Sequence, residues 1–248
     1  MNFRWRMVLA SATAIFACVS ASSAYSLSLR LTWSYTQKKV YSGKFPIHSA
    51  CMMPPQGHLT RIGLKGAEDM SKESDAWAHA LEDLVESHLK SDGIAIHSAT
   101  DPLSTGASDS EIRGVISQVQ LKFDTLSPLI NKKPGRIAKS AYTLGDQVGM
   151  LPCSENSDIL VFVQGEGQVL TENRATMTFL IGGPSESAEV LVAMADAKTG
   201  EILGLIQIYP SGGGFLDNAE DAFGEMLDNE LTIMNIGSAR KNAKARGQ

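Results

Sequence analysis

Histidine and cysteine are the residue types in this chain best suited to ligate a metal or attack a substrate. The five histidines, His48, His58, His79, His88 and His97, show no His-Glu-x-x-His pair and no other spacing that places two imidazoles on one face. His79 and His88 share one helical stretch but lie nine residues apart; at 100° per residue that is about 900°, which leaves them on opposite sides. No Gly-x-Ser-x-Gly elbow occurs. Ser211-Gly212-Gly213-Gly214 leads to Phe215 and Leu216, where a phosphate loop would need Lys-Ser or Lys-Thr. Asp196 and Glu201 flank a turn, and Asp217, Glu220 and Asp221 open a helix, where its dipole favours acids. The expectation is no catalytic, cofactor-binding or metal-binding residue, no cofactor, and no enzyme activity.

The cysteines point to a compartment. Arg4 and Arg6 precede an apolar stretch from Met7 to Val19, and small residues from Ser20 to Ala24 follow, the arrangement of an export signal. Thirteen apolar residues fall short of the roughly 20 that a membrane span needs. Cleavage after Ala24 is one reading; lipidation at Cys18, within Ile15-Phe16-Ala17-Cys18, is the alternative. Cleavage removes two arginines and no acid, leaving 20 bases against 27 acids, a net −7. An acidic chain argues against nucleic acid as a partner. Cys51 and Cys153 then remain, and two thiols in an oxidising compartment predict a disulfide. Prolines beside each (Pro54 and Pro55, and Pro152) place both cysteines near the surface.

The elements follow from the hydrophobic pattern. Ile159 to Val163 is a continuous apolar run, as expected of a strand covered on both faces. Gly165 and Gly167 beyond it suggest a bulge or an exit from the core. A further run of β-formers is Ala-Thr-Met-Thr-Phe-Leu-Ile-Gly-Gly. Val190 to Ala195 and Ile202 to Ile208 form a hairpin about Asp196-Ala197-Lys198-Thr199-Gly200, with Asp196 bonding forward and Gly200 left-handed. Short strands are expected over 58–66 and 94–98. Helical stripes run through Trp77, Leu81, Leu84, Val85 and Leu89; through Ile112, Val115, Ile116, Val119, Phe123 and Leu126; and through Phe223, Met226, Leu227, Leu231 and Met234. Ser108 and Glu111 form a capping box for the second helix, and Pro128 ends or kinks it near Ser127. Asp217 caps the third.

The predicted architecture is α/β: a mixed sheet of about five or six strands with three amphipathic helices packed against it. The domains are a signal peptide (1–24), an extended arm or linker (25–57) with an edge strand over 29–35, one α/β domain (58–236) and a flexible basic tail (237–248). An insertion at 128–157 either covers the sheet or binds a partner. Its Lys132, Lys133, Arg136 and Lys139 form a cationic surface on an acidic protein. A strand opening on Ser-Asp-Ile-Leu-Val-Phe-Val, followed by the Asp-Ala-Lys-Thr-Gly-Glu hairpin, resembles the α/β domain of the curli secretion channel protein family. It is similar also to periplasmic accessory lipoproteins and the amino-terminal domain of the Tol-Pal translocation protein. The resemblance covers roughly 58–234 and implies a mixed sheet and work in the cell envelope.

The functional expectation is an exported bacterial cell-envelope protein, periplasmic or secreted, or tethered to the outer membrane through a lipid at Cys18. It acts as a non-enzymatic accessory or assembly factor on an envelope protein partner. Two alternatives stay open: a small-ligand binder or enzyme using a cleft beside the sheet, and a self-assembling structural component, a homo-oligomer built by edge-strand addition through the arm.

Overall fold

The computed structural model describes residues 31–100, 109–171, 175, 186–210, 215–216, 219–234 and 236. The leader with Cys18, the Ser108 and Asp217 caps, the triple glycine, the tail, and all of the run at 175–183 except Ala175 lie outside the described residues. The fold is a mixed α/β sandwich. Its sheet has eight strands, more than the five or six expected.

In chain order the strands are β1 (Leu31–Thr36), β2 (Ser49–Met52), β3 (Gln56–Gly63), β4 (Gly66–Asp69), β5 (Ala95–Ser98), β6 (Ile159–Leu170), β7 (Glu186–Asp196) and β8 (Ile202–Tyr209). The helices are α1 (Lys38–Tyr41), α2 (Ser71–Ser91), α3 (Asp109–Lys132) and α4 (Glu225–Ile233), the last entered through a π turn at Glu220–Gly224. The strands run β1-β8-β7-β6-β2-β5. Beyond β2, β3 takes over the same edge of β6, parallel to it, and carries β4 outside it. Pro54 and Pro55 sit at the changeover, where residues without an N–H interrupt the ladder least.

Residues 31–57, the described part of the expected arm, are therefore not simply an arm. β1 closes one edge of the sheet on β8, and β2 lies inside it, between β5 and β6. Asp158, just before β6, fixes that placement: its carboxylate accepts from the His48 and Ser49 backbone N–H groups at 2.8 and 3.1 Å.

Two apolar layers flank the sheet. On the first face, Trp77, Leu81, Val85 and Leu89 of α2, Phe223 of the π turn, and Leu227 and Leu231 of α4 pack over Val161, Val163, Val190, Val192 and Ile206. On the second, Ile116, Val119, Phe123 and Ile130 of α3 pack over Leu160, Phe162, Leu191, Ala193 and Leu205. β6 is thus buried on both sides from Ile159 to Val163. After the end of α3 at Lys132, the 128–157 stretch continues as three 3-10 turns, Pro134–Lys139, Asp146–Met150 and Pro152–Asn156, and lays Ile137, Tyr142, Leu144, Val148 and Leu151 on the second face.

Three local expectations are corrected. Of the two outcomes expected at Pro128, the ending is excluded: α3 does not stop near Ser127. It runs past exposed Pro128 to Lys132, and the burial of Ile130 offsets the missing N–H. The Tyr142 hydroxyl donates to the Leu129 carbonyl at 3.0 Å, satisfying one acceptor of the last turn. Of the two readings for Gly165 and Gly167, the bulge is excluded, since β6 and β7 stay in unbroken register through both. On the second face β6 does leave the core there, with Glu166 and Gln168 exposed. The glycines are there for space: a Cβ on Gly165 would lie 2.7 Å from the Trp77 ring, and one on Gly167 3.0 Å from the Phe215 ring. The cysteines are not near the surface; Cys51 and Cys153 are 0% and 4% exposed. They are joined as a disulfide with Cα atoms 5.7 Å apart, tying β2 to the last 3-10 turn inside the second-face cluster.

Candidate functional site

α3 and the 128–157 stretch cover only part of the second face. At Gln164 the pattern of β6 changes: Gly165 and Gly167 stay buried toward α2, while Glu166 and Gln168 are exposed on the other side. The register carries this open half across five strands. Gln164 pairs with Gln56 of β3 and Leu191 of β7, Leu191 with Gln207 of β8, and Gln207 with Trp33 of β1. Side chains alternate along a strand, so His58, Thr60, Glu166, Gln168, Ser187, Glu189, Gln207, Tyr209 and Trp33 share this surface.

Its organising contact is Tyr209. The phenol donates to Glu189 Oε1 at 2.8 Å, and Gln207 Nε2 donates to the same oxygen at 3.2 Å. Partial burial, and then the adjacent Glu189 carboxylate, raise the Tyr209 pKa well above the ordinary phenol value, so it stays a neutral donor. The Trp33 ring meets the Tyr209 ring edge-on, centroids 5.3 Å apart, and is 46% exposed. Glu166 and Glu189 stand directly opposite one another across β6 and β7, a like-charge pairing that costs stability. His58 lies 3.7 Å from Asp69 of β4 and 3.3 Å from the Thr60 hydroxyl. At the seam with α3, Asp124 accepts from Gln164 at 2.8 Å and from Gln56 at 3.3 Å. Between His58, Glu166, Gln168, Ser187, Glu189 and Tyr209 lies a shallow concavity of about 230 Å³, open to solvent.

The residues singled out from sequence do not converge there, apart from His58. His79 is exposed beside Glu82, whose pKa burial raises despite that neighbour. His88 sits at the contact of α2 with α4, 3.6 Å from Glu220 and 3.8 Å from Asp228. His97 is on the edge strand β5, and His48 is exposed just ahead of β2. Among the described residues, no three His, Cys, Asp or Glu side chains come together to hold a metal ion.

Asp196 and Gly200 form the β7–β8 turn. The Asp196 carboxylate accepts from the Lys198 and Thr199 backbone N–H groups at 2.8 and 3.0 Å, and Gly200 has φ +70°. Beside the turn, Glu201 accepts from the Lys39 ammonium and from Gln37. Burial alone would raise the Glu201 pKa; hydrogen bonds from Lys39, Ser140 and Gln37 outweigh it and hold the group below its ordinary value. Lys132, Lys133, Arg136 and Lys139 are all exposed, and among the described residues none has an acid within ion-pairing reach.

Trp33, Tyr209, Glu189 and Gln207 were not expected as a group. Their signal was the alternation at 164–168 and its partner at 186–189, where the strand begins before its apolar residues do.

No protein-family model and no curated protein matches the chain. Solved structures do: a PelC dodecamer from Paraburkholderia phytofirmans, at 10% identity and a TM-score of 0.38, covers 83% of this chain and 97% of its own. A single-substitution form of the same dodecamer aligns at 9% identity and 0.39, with the same coverage. A likeness of that size carries neither activity nor assembly to this chain. The chain is placed in no family, and the curli and Tol-Pal resemblance rests on the hairpin and element order alone. No helix of the described residues is long and apolar enough to cross a membrane.

Proposed function

We propose that this is an exported envelope protein, an accessory or assembly factor that works through macromolecular contact and not through catalysis. Residues 1–24 act as its export signal, cleaved after Ala24 or lipidated at Cys18, and 237–248 form a basic tail. The observation that carries the reading is the open half of the second face: five strands of sheet carry an exposed Trp33, the Tyr209–Glu189 pair and opposed carboxylates. Uncovered sheet with an aromatic group beside polar side chains suits a partner surface. The concavities on it, about 230 Å³ beside Glu189 and about 340 Å³ at the seam with α3, both open broadly to solvent, unlike the 70–90% enclosure typical of small-ligand sites, which ranks the ligand-binding alternative second.

The test is site-directed photo-crosslinking in the producing bacterium. A crosslinker at Gln168, on the open half, should give one discrete envelope adduct. One at Asp83, exposed on the outer side of α2, should give none. Equal labelling from both positions, or none from Gln168, contradicts the reading.

A further inference from the structure

We propose that the open half of the second face is occupied by a second copy of this chain, in a two-fold pair with Trp33 at its centre. The proposal rests on the preceding reading that this half is the working surface. Its first support is charge. On the strands of the open half, Glu166, Glu189 and Asp69 are acids, and no Lys or Arg occupies a position on that side of β1, β3, β4, β6, β7 or β8.

The second support is the neighbouring rim. Ile137 anchors the Pro134–Lys139 turn in the second-face cluster, against which Tyr35 also packs. The exposed Lys132, Lys133, Arg136 and Lys139 therefore border the open half on the same face. Trp33 lies two residues along β1 from Tyr35, about 7 Å, between the basic rim and the acidic sheet. A two-fold axis lying in the face along that border sets each copy's rim over the other's acids. It also brings the two Trp33 rings together at the centre. Such an interface is self-complementary, as two-fold pairing requires, and places its largest exposed aromatic side chain where binding energy concentrates.

Size sets the strength. Five strands about 4.8 Å apart, over three or four residues, offer roughly 300 Å². The rim about doubles that, still below the roughly 800 Å² per partner of a standard interface. The pair is therefore weak and salt-sensitive.

Sedimentation velocity on the exported full chain, purified from the envelope, tests it. At about 0.05 M salt a monomer–dimer equilibrium is expected at tens of micromolar, and monomer alone at about 0.5 M. Glu166→Lys with Gln168→Lys should be monomeric at low salt, and so should Lys133→Glu with Arg136→Glu. Mixed in equal amounts, the two variants should restore the dimer, because each again meets its opposite charge. Trp33→Ala should be monomeric and keep the wild-type circular dichroism, so a sheet variant that fails to fold leaves a deciding arm. A wild-type chain that is monomeric throughout, or a dimer that neither reversal disturbs, overturns the proposal. If the pair fails while the Gln168 crosslink still yields its envelope adduct, the functional reading stands and only the self-pairing falls. If both fail, the open half is not a working surface.

Discussion

The two faces of the sheet solve opposite problems with the same strands. On the first, α2 and α4 run over its length, and β6 accommodates them by giving up side chains at Gly165 and Gly167 beneath Trp77 and Phe215. On the second, α3 and the 3-10 turns cover one end and leave the other to solvent, where β6 bears Glu166 and Gln168. A strand can be a core element on both sides and then, within five residues, open one side to solvent. Stability should therefore reside in the covered regions, and the open half should tolerate change.

Substitutions can break or sharpen that contrast. The largest effect is expected at Phe162, fully buried and stacked on Phe123 with centroids 4.3 Å apart. Phe162→Ala should cost about 3–5 kcal/mol in denaturant melts. Removing the disulfide with Cys51→Ala and Cys153→Ala should cost about 2–5 kcal/mol, visible as a lower midpoint that reductant no longer changes. Gly165→Ala puts a methyl group 2.6 Å from Leu81 Cδ1 and should cost about 1–3 kcal/mol through displacement of α2.

Smaller effects follow at half-buried and exposed groups. Lys39→Met should lose about 0.2–1 kcal/mol near neutral pH. Because the folded Glu201 pKa is depressed below 4.5, that contribution is present above the unfolded value and is lost as pH falls through the folded one. Variant and wild-type stabilities should therefore converge in acid. Glu166→Gln, on the open half, should change stability by only a few tenths of a kcal/mol, in the stabilising direction, since it relieves the pairing with Glu189.

Much of this fold was legible in the residues. The continuous run at 159–163 marked a strand covered on both sides, and three stripes at helical spacing marked α2, α3 and α4. The Asp196–Gly200 turn was readable because its chemistry is local. β2 was not: it has four residues and no period, and its partner Ile159 is more than a hundred positions from Ala50. Burial of the cysteines was hidden by nearby prolines, which here separate β2 from β3 and open a 3-10 turn inside the second-face cluster. The open half was missed because alternating polar residues, as at 186–189, look like loop until a register aligns them. Pro128 misled for a related reason, since the burial of Ile130 beyond it is a tertiary fact.

The asymmetry of the faces can be measured with Trp33 and Trp77. Trp77, on the inner side of α2, is 3% exposed, and Trp33, on the open half, is 46% exposed. In single-tryptophan forms of the full chain, Trp5→Phe in both, acrylamide is a suitable quencher because it is neutral and unaffected by the acidic surface. At high salt and low protein concentration, Trp33 should emit to the red and quench readily, while Trp77 should emit to the blue and resist quenching. Equal protection of the two indoles would contradict an open second face, and the account built on it.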